Sequence, residues 1–171
     1  MKIKWITWLA VLVLPISLGS CFPVVQGTVV SSQRNGYITS FTPTGGEGQT
    51  YFVGDKVRFR LSTTRSGYVT LVSYDPDGYS NVIASNVRVG AGVSYFPEDL
   101  PGRPKEYTLT PPRGLQRVKA IFTNDLQSSR GKITLEGRYD SNTGWDNQIT
   151  LYVNGYDARV RDIQETFFYI R

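Results

Sequence analysis

The sequence predicts an all-β fold, a single immunoglobulin-like β-sandwich that follows an N-terminal lipoprotein signal peptide. Short segments alternate apolar and polar residues, and turn-forming clusters separate them at spacings of about 8–12 residues, which is typical of a sandwich. No window of useful length has a helical period, and nine prolines and seventeen glycines would interrupt a long helix. A true immunoglobulin domain is not expected because the Cys…Trp…Cys signature is missing, and a closed barrel also fits the pattern.

The first twenty residues have the parts of a secretory signal peptide. Lys2 and Lys4 precede an apolar run over 5–16, which is shorter than the roughly 20 residues of a membrane span. The segment "LGSC" that follows resembles the bacterial lipobox, in which the leader is cut before a cysteine that carries diacylglycerol. We therefore expect cleavage between Ser20 and Cys21 and lipid on Cys21; the alternative is an uncleaved leader with an inert thiol.

These features divide the chain into a signal peptide over 1–20, a lipidated N-terminus and tether over 21–36, and a β-sandwich over 37–171. Roughly 150 residues remain after cleavage, enough for one domain with a sizeable core. The expected location is the bacterial cell envelope, at the outer membrane or cell surface rather than the inner membrane, with the lipid on Cys21 as the membrane attachment.

Composition argues against several classes of function. The net charge of +5 is modest and its basic residues are scattered, whereas nucleic-acid binding needs a dense basic stripe, so no nucleic-acid partner is expected. The chain has no histidine, which removes the usual general base, the usual metal ligand and every Ser-His or Cys-His pair. We expect a protein that is not an enzyme and that carries no cofactor.

The strands follow from period-two patterns. In "KVRFRL" the apolar residues Val57, Phe59 and Leu61 alternate with basic ones, which predicts a half-buried strand. The runs "GYVTLVSY" and "SNVIA" flank the turn cluster "DPDG", in which Gly78 can take positive φ, and together they predict a hairpin. Further strands are predicted at 24–30, 37–41, 93–96, 107–110, 116–122, 132–137, 148–153 and 166–170.

The hairpin turn "DPDGYSN" is a weak calcium candidate. Asp75 and Asp77 offer carboxylate oxygens, and Ca²⁺ takes six to eight oxygen ligands. Tyr79 holds the fifth position of the loop pattern, where another oxygen ligand is needed. A structural turn is therefore the favoured interpretation, and no other metal site is expected.

Candidate partner contacts are aromatic and arginine residues near loops, led by Trp145, Tyr79 and Arg103. Such residues dominate binding energy at protein interfaces. Trp145 lies among amides and carboxylates in "YDSNTGWDNQ", where it could stack on a sugar or anchor a protein. The plainer alternative is that it folds back onto the core.

The segments "YFVGDKVRFRLSTTRSGYVTLVSYDPDG", "AGVSYFPE" and "PPRGLQRVKAIFT" carry a family likeness. The shared features are Tyr51, Gly54, Asp55, Gly67, Tyr68, Asp77, Gly78, Ala91, Gly92, Phe96, Pro97 and Gly114. In their order and spacing they resemble the bacterial domain of unknown function numbered four-three-eight-four, as found in envelope lipoproteins of the surface-layer-associated type. The segment "SNVIASN" departs from the family pattern. The resemblance implies a β-sandwich in an exported protein with no established catalytic residues.

The expected function is that of a lipid-anchored, non-catalytic binding or structural module, an accessory subunit of an envelope or surface-layer assembly with an envelope protein as partner. The alternative is a carbohydrate- or cell-wall-binding module. A hydrolase would need two carboxylates facing each other across a cleft. Asp55, Glu98, Asp99 and Glu136 are available, but nothing in the sequence pairs them.

Overall fold

The computed structural model describes residues 35–125 and 134–171. The predicted leader, Ser20, Cys21 and the strand at 24–30 lie outside the described residues. The strands are β1 Ile38–Pro43, β2 Thr50–Tyr51, β3 Lys56–Val57, β4 Phe59–Thr63, β5 Gly67–Tyr74, β6 Tyr79–Val89, β7 Gly92–Phe96, β8 Tyr107–Thr108, β9 Gly114–Thr123, β10 Gly137–Arg138 and β11 Arg161–Ile170. A helix, α1, spans Asn142–Val153, and a 3-10 turn spans Ala158–Val160.

Two sheets pack face to face, which confirms the predicted all-β sandwich. The smaller sheet has the order β1-β4-β7, and the larger has the order β10-β6-β5-β9-β11-β2. All pairs are antiparallel except β11 with β2. A ribbon of β3 and β8 extends beside them. The immunoglobulin-like strand layout stays a prediction.

The core between the sheets is built by the alternation seen in the sequence. Val57, Phe59 and Leu61 are fully buried, as period two predicts, while the basic residues between them point outward. The Phe59 ring lies 5.6 Å from that of Phe41 and 6.2 Å from that of Phe168, ring centre to ring centre. These rings join the two sheets, so the pattern in "KVRFRL" fixes which face of β4 is inside.

The predicted hairpin is also present, formed by β5 and β6. Gly78 takes φ +83°, which glycine adopts at little cost. A Cβ at this position would lie 2.6 Å from the carbonyl oxygen of Tyr139, so the turn also needs a residue without a side chain.

The segment 148–153 is helical, so the strand predicted there and the expected absence of helix are wrong. Helix α1 begins after Ser141, whose Oγ accepts a hydrogen bond from the Gly144 N–H at 3.1 Å. Trp145, Ile149 and Tyr152 lie on one face of the helix and are buried against the outer face of the larger sheet. The molecule therefore has a third layer, which covers Val72, Tyr74, Ile121 and Leu135. None of the helices in the described part is long and apolar enough to cross a membrane.

Candidate binding groove

Trp145 is not an exposed contact residue, which corrects the prediction made for it. Its side chain is 0% exposed, its indole N–H donates to Ser80 Oγ at 3.0 Å, and its ring stacks on Tyr74 with the centres 4.9 Å apart. The plainer alternative, packing against the core, is correct. Trp145 is buried because it lies on the face of helix α1 that packs against the larger sheet.

The other two candidate contacts lie apart in the fold. Tyr79 is 46% exposed and begins β6, where it pairs with Arg138 of β10. Arg103 is exposed and lines a groove on the side of the sandwich. Tyr79 is not among the residues that line this groove, so the structure does not unite the predicted contacts in one surface.

The geometry of the candidate calcium turn favours the structural interpretation. Asp75 Oδ1 accepts the backbone N–H of Asp77 at 3.0 Å and that of Tyr79 at 2.8 Å. These two bonds hold the turn closed and occupy one carboxylate oxygen. Within residues 35–125 and 134–171 there is no group of three metal-ligating side chains.

A groove of about 760 Å³, here named the lateral groove, lies on the side of the sandwich. Residues 83–88 of β6 form one wall, and the segment 96–108 forms the other. An extension of about 240 Å³ continues between 87–89 of β6 and 93–96 of β7. The groove therefore runs along the open side of the sandwich, between one strand of each sheet.

Both strands that border the groove are sheet edges in the described part of the chain. Strand β10 pairs with β6 only at Tyr79 and Ser80, which leaves Asn81–Val89 paired with β5 alone. Strand β7 pairs only with β4, in unbroken register from Gly92 to Phe96. A free sheet edge presents backbone N–H and C=O groups that can accept another strand.

A β-bulge interrupts the β6 wall at Ser85 and Asn86. Val87 pairs with Val69 and Ala84 with Leu71, so two residues of β6 stand opposite one residue of β5. Asn86 has φ +50°, a left-handed conformation that is uncommon for residues other than glycine, and its N–H donates to Thr70 Oγ1 at 3.1 Å.

Asn86 also carries an unpaired buried oxygen. Its Oδ1 is buried and has no hydrogen-bond partner among the described residues. Other atoms of Asn86 line the lateral groove. An unmade hydrogen bond at a buried polar group costs about 1–3 kcal/mol. Because strained conformations and unpaired polar atoms gather at functional sites, the bulge makes this wall a candidate for one.

Arg58 supplies a second unpaired polar atom in the extension of the groove. Its Nη2 donates to Asp99 Oδ2 at 2.8 Å, and its guanidinium lies 4.6 Å from the centre of the Tyr95 ring. The hydrogen bond from Arg58 is the main reason that the pKa of the Asp99 carboxyl lies below its ordinary value. The Nε of Arg58 is buried and has no partner among the described residues.

Tyr107 separates the lateral groove from the core. Its hydroxyl donates to the carbonyl oxygen of Ile83 at 3.2 Å, and it lines both the groove and a smaller cavity of about 250 Å³ that reaches Val57 and Phe168. Burial, together with the negative charge of Glu98, raises the pKa of Tyr107 to about 12. The phenol therefore stays neutral at physiological pH and acts as a donor.

Charges of both signs line the groove. Arg88 and Arg103 are balanced by Glu98 and Glu106, and Asp99 is paired with Arg58. A lining with no net charge does not attract a polyanion, whereas it suits a protein surface of mixed polarity.

The sequence pointed to Arg103 but not to the rest of this groove. One signal was available: the apolar and polar alternation of β6 breaks at Ser85 and Asn86, inside the segment "SNVIASN" that departs from the family pattern. A break in alternation is typical of a bulge. Which strands would be sheet edges could not be inferred, because strand order depends on the topology of the whole domain.

Residues 50–125 match the family model described as "Domain of unknown function (DUF4384)", which confirms the predicted domain in this part of the chain. The match runs from β2 to just past β9 and contains the entire lateral groove. No curated protein and no solved structure is significantly similar to the chain.

Proposed function

We propose that this chain, which carries the domain of unknown function DUF4384 over residues 50–125, is a lipid-anchored protein of the cell envelope that holds a protein partner in its lateral groove without catalysing a reaction. In this role it is an accessory subunit of an envelope or surface-layer assembly. One observation carries the proposal: among the described residues, the groove and its extension run between β6 and β7, and β7 is paired on one side only.

The anchoring part of the proposal rests on the lipobox-like "LGSC" segment and Cys21. Two or more acyl chains give stable membrane attachment, whereas one chain binds only marginally. The chain between Cys21 and Asn35 spans at most about 50 Å when fully extended. Confinement at a membrane raises the effective concentration of the module for a partner in the same membrane, so a modest interface suffices.

A protein partner fits the groove better than a glycan. The carbohydrate alternative depended on an exposed ring at Trp145, and that ring is buried. The groove instead combines an exposed apolar side chain, Leu100, with the balanced charges of Arg103 and Glu98. An apolar centre with a polar rim is typical of protein interfaces.

Site-specific photo-crosslinking in intact cells tests this proposal. A photoreactive amino acid at Leu100, which is 40% exposed on the groove wall, should give one discrete adduct with another envelope protein. The matched control is Leu151, which is 56% exposed on α1, outside the groove, and should give no discrete adduct. The same adducts from both positions, or no protein adduct from Leu100, would refute the groove as the partner site.

The lipid is tested separately by mass spectrometry of the mature N-terminal peptide. The proposal expects Cys21 at the N-terminus with acyl mass added, and Cys21→Ala protein released from the membrane fraction. An unmodified Cys21 within an intact leader would contradict the anchoring part alone.

A further inference from the structure

We infer that the lateral groove takes an extended polypeptide segment of its partner, bound by strand addition along the free edge of β7. The inference rests on the proposed function and specifies the chemistry of the partner. It identifies the bound element as backbone in β conformation rather than as a helix, a glycan chain or a lipid headgroup.

The two bordering edges are not equally suited to strand addition. On β6 the bulge at Ser85 and Asn86 breaks the edge, and the Tyr107 hydroxyl already occupies the carbonyl oxygen of Ile83. On β7 the register with β4 is unbroken from Gly92 to Phe96. An added strand needs a regular row of free N–H and C=O groups, which β7 offers and β6 does not.

A segment on β7 would run through the extension of the groove, which residues 93–96 of β7 and 87–89 of β6 line together. Side chains of an added strand alternate between the two faces of the sheet. On the inner face they would enter the groove between Leu100 and Val87, and on the outer face they would lie beside Val93 and Tyr95. Val93 and Tyr95 are exposed, so the segment can cover apolar surface on both faces.

The balanced charge of the groove supports a polypeptide over a polyanion. Arg88 and Arg103 stand against Glu98 and Glu106, so the lining has no net positive charge. Anionic lipids, nucleic acids and acidic polysaccharides are attracted by clustered cations, which this groove does not offer.

The test uses the full chain in detergent and a library of random linear dodecapeptides displayed on phage. We expect the selection to yield peptides that also bind the chain when they are synthesised. A bound peptide should slow hydrogen–deuterium exchange about tenfold or more at those amides of Gly92–Phe96 that do not face β4. Peptides that bind without protecting β7 would refute strand addition, as would heparin or anionic vesicles that protect the same amides and displace the peptides.

Two matched variants test the position of the bound segment. Tyr95→Ala removes an exposed ring of β7 beside the added strand, and it should weaken peptide binding about fivefold. Leu151→Ala removes an exposed side chain of α1, outside the groove lining, and should leave affinity unchanged. Equal affinities for the two variants would overturn the assignment of β7.

The failure of this inference can be told apart from that of the proposed function. If no peptide is selected while the crosslinker at Leu100 still captures an envelope protein, the partner is held by another kind of surface and only strand addition is wrong. If peptides protect β7 while Leu100 captures nothing in cells, the chemistry of the groove stands and the cellular role is wrong.

Discussion

Replacing Trp145 by alanine is expected to lower the free energy of unfolding by about 3–5 kcal/mol, the range found for removing large buried aromatic side chains. The ring is fully buried between α1 and the larger sheet, and it stacks on Tyr74. Its loss also leaves Ser80 Oγ without the indole donor and removes the ring that lies 4.5 Å from Lys119 Nζ. Helix α1 would then lose its principal attachment to the sheet.

Urea unfolding followed by tyrosine fluorescence and circular dichroism measures this effect. The control is Leu151→Ala on the same helix, whose side chain is 56% exposed and whose removal should change stability by less than about 1 kcal/mol. If both variants unfolded at the same urea concentration as the wild type, the conclusion that α1 packs on the larger sheet through Trp145 would be contradicted.

Adding one methyl group at Gly67 is expected to cost about 3 kcal/mol, at the upper end of the usual range for overpacking. A Cβ there would lie 2.3 Å from Cζ of Phe122 and 2.6 Å from the backbone carbonyl oxygen of Thr123. Phe122 is fully buried and packs against Tyr37, so the ring has no space into which it can move. The β5–β9 pair would have to separate locally to accept the methyl group.

Gly90→Ala is the matched control for Gly67→Ala. A Cβ at Gly90 meets no atom within 4 Å, and its φ lies outside the left-handed region. Stability should be unchanged or rise by a few tenths of a kcal/mol, because alanine restricts the unfolded chain. Equal destabilisation by both substitutions would show that loss of glycine, rather than the contact with Phe122, sets the cost.

The Gly67 contact also gives a physical reason for one of the residues that carry the family resemblance. In the sequence Gly67 only begins a predicted strand, whereas in the fold it is the point where β5 passes close to the Phe122 ring. The resemblance identified the position, and the structure explains it.

Local patterns predicted the strands well and the helix badly. Val57, Phe59 and Leu61 are buried as the period-two pattern predicts. The alternation of apolar and polar residues indicates directly which side of a strand faces the core. The helix at Asn142–Val153 was missed because glycine, threonine and asparagine are poor helix formers. Burial of Trp145 against the sheet outweighs that weak local preference.

The candidate site was much less predictable than the fold. Arg103 was named because an arginine near a loop is a common contact, and it does line the groove. The features that define the groove are the bulge at Ser85 and Asn86 and the edge strand β7. Both arise from strand order and bulge geometry, which depend on contacts between residues far apart in the chain.

A large side chain placed in the lateral groove tests most directly whether the proposed partner is held there. Ser85 is exposed on the groove wall, and Ser85→Trp would occupy the space proposed for the partner, whereas Leu151→Trp adds the same ring on α1. On native gels of detergent-solubilised envelopes, we expect Ser85→Trp protein to migrate as the free chain and Leu151→Trp protein to migrate with the proposed partner, like the wild type. Ser85→Trp protein that migrates in the wild-type complex would contradict this expectation.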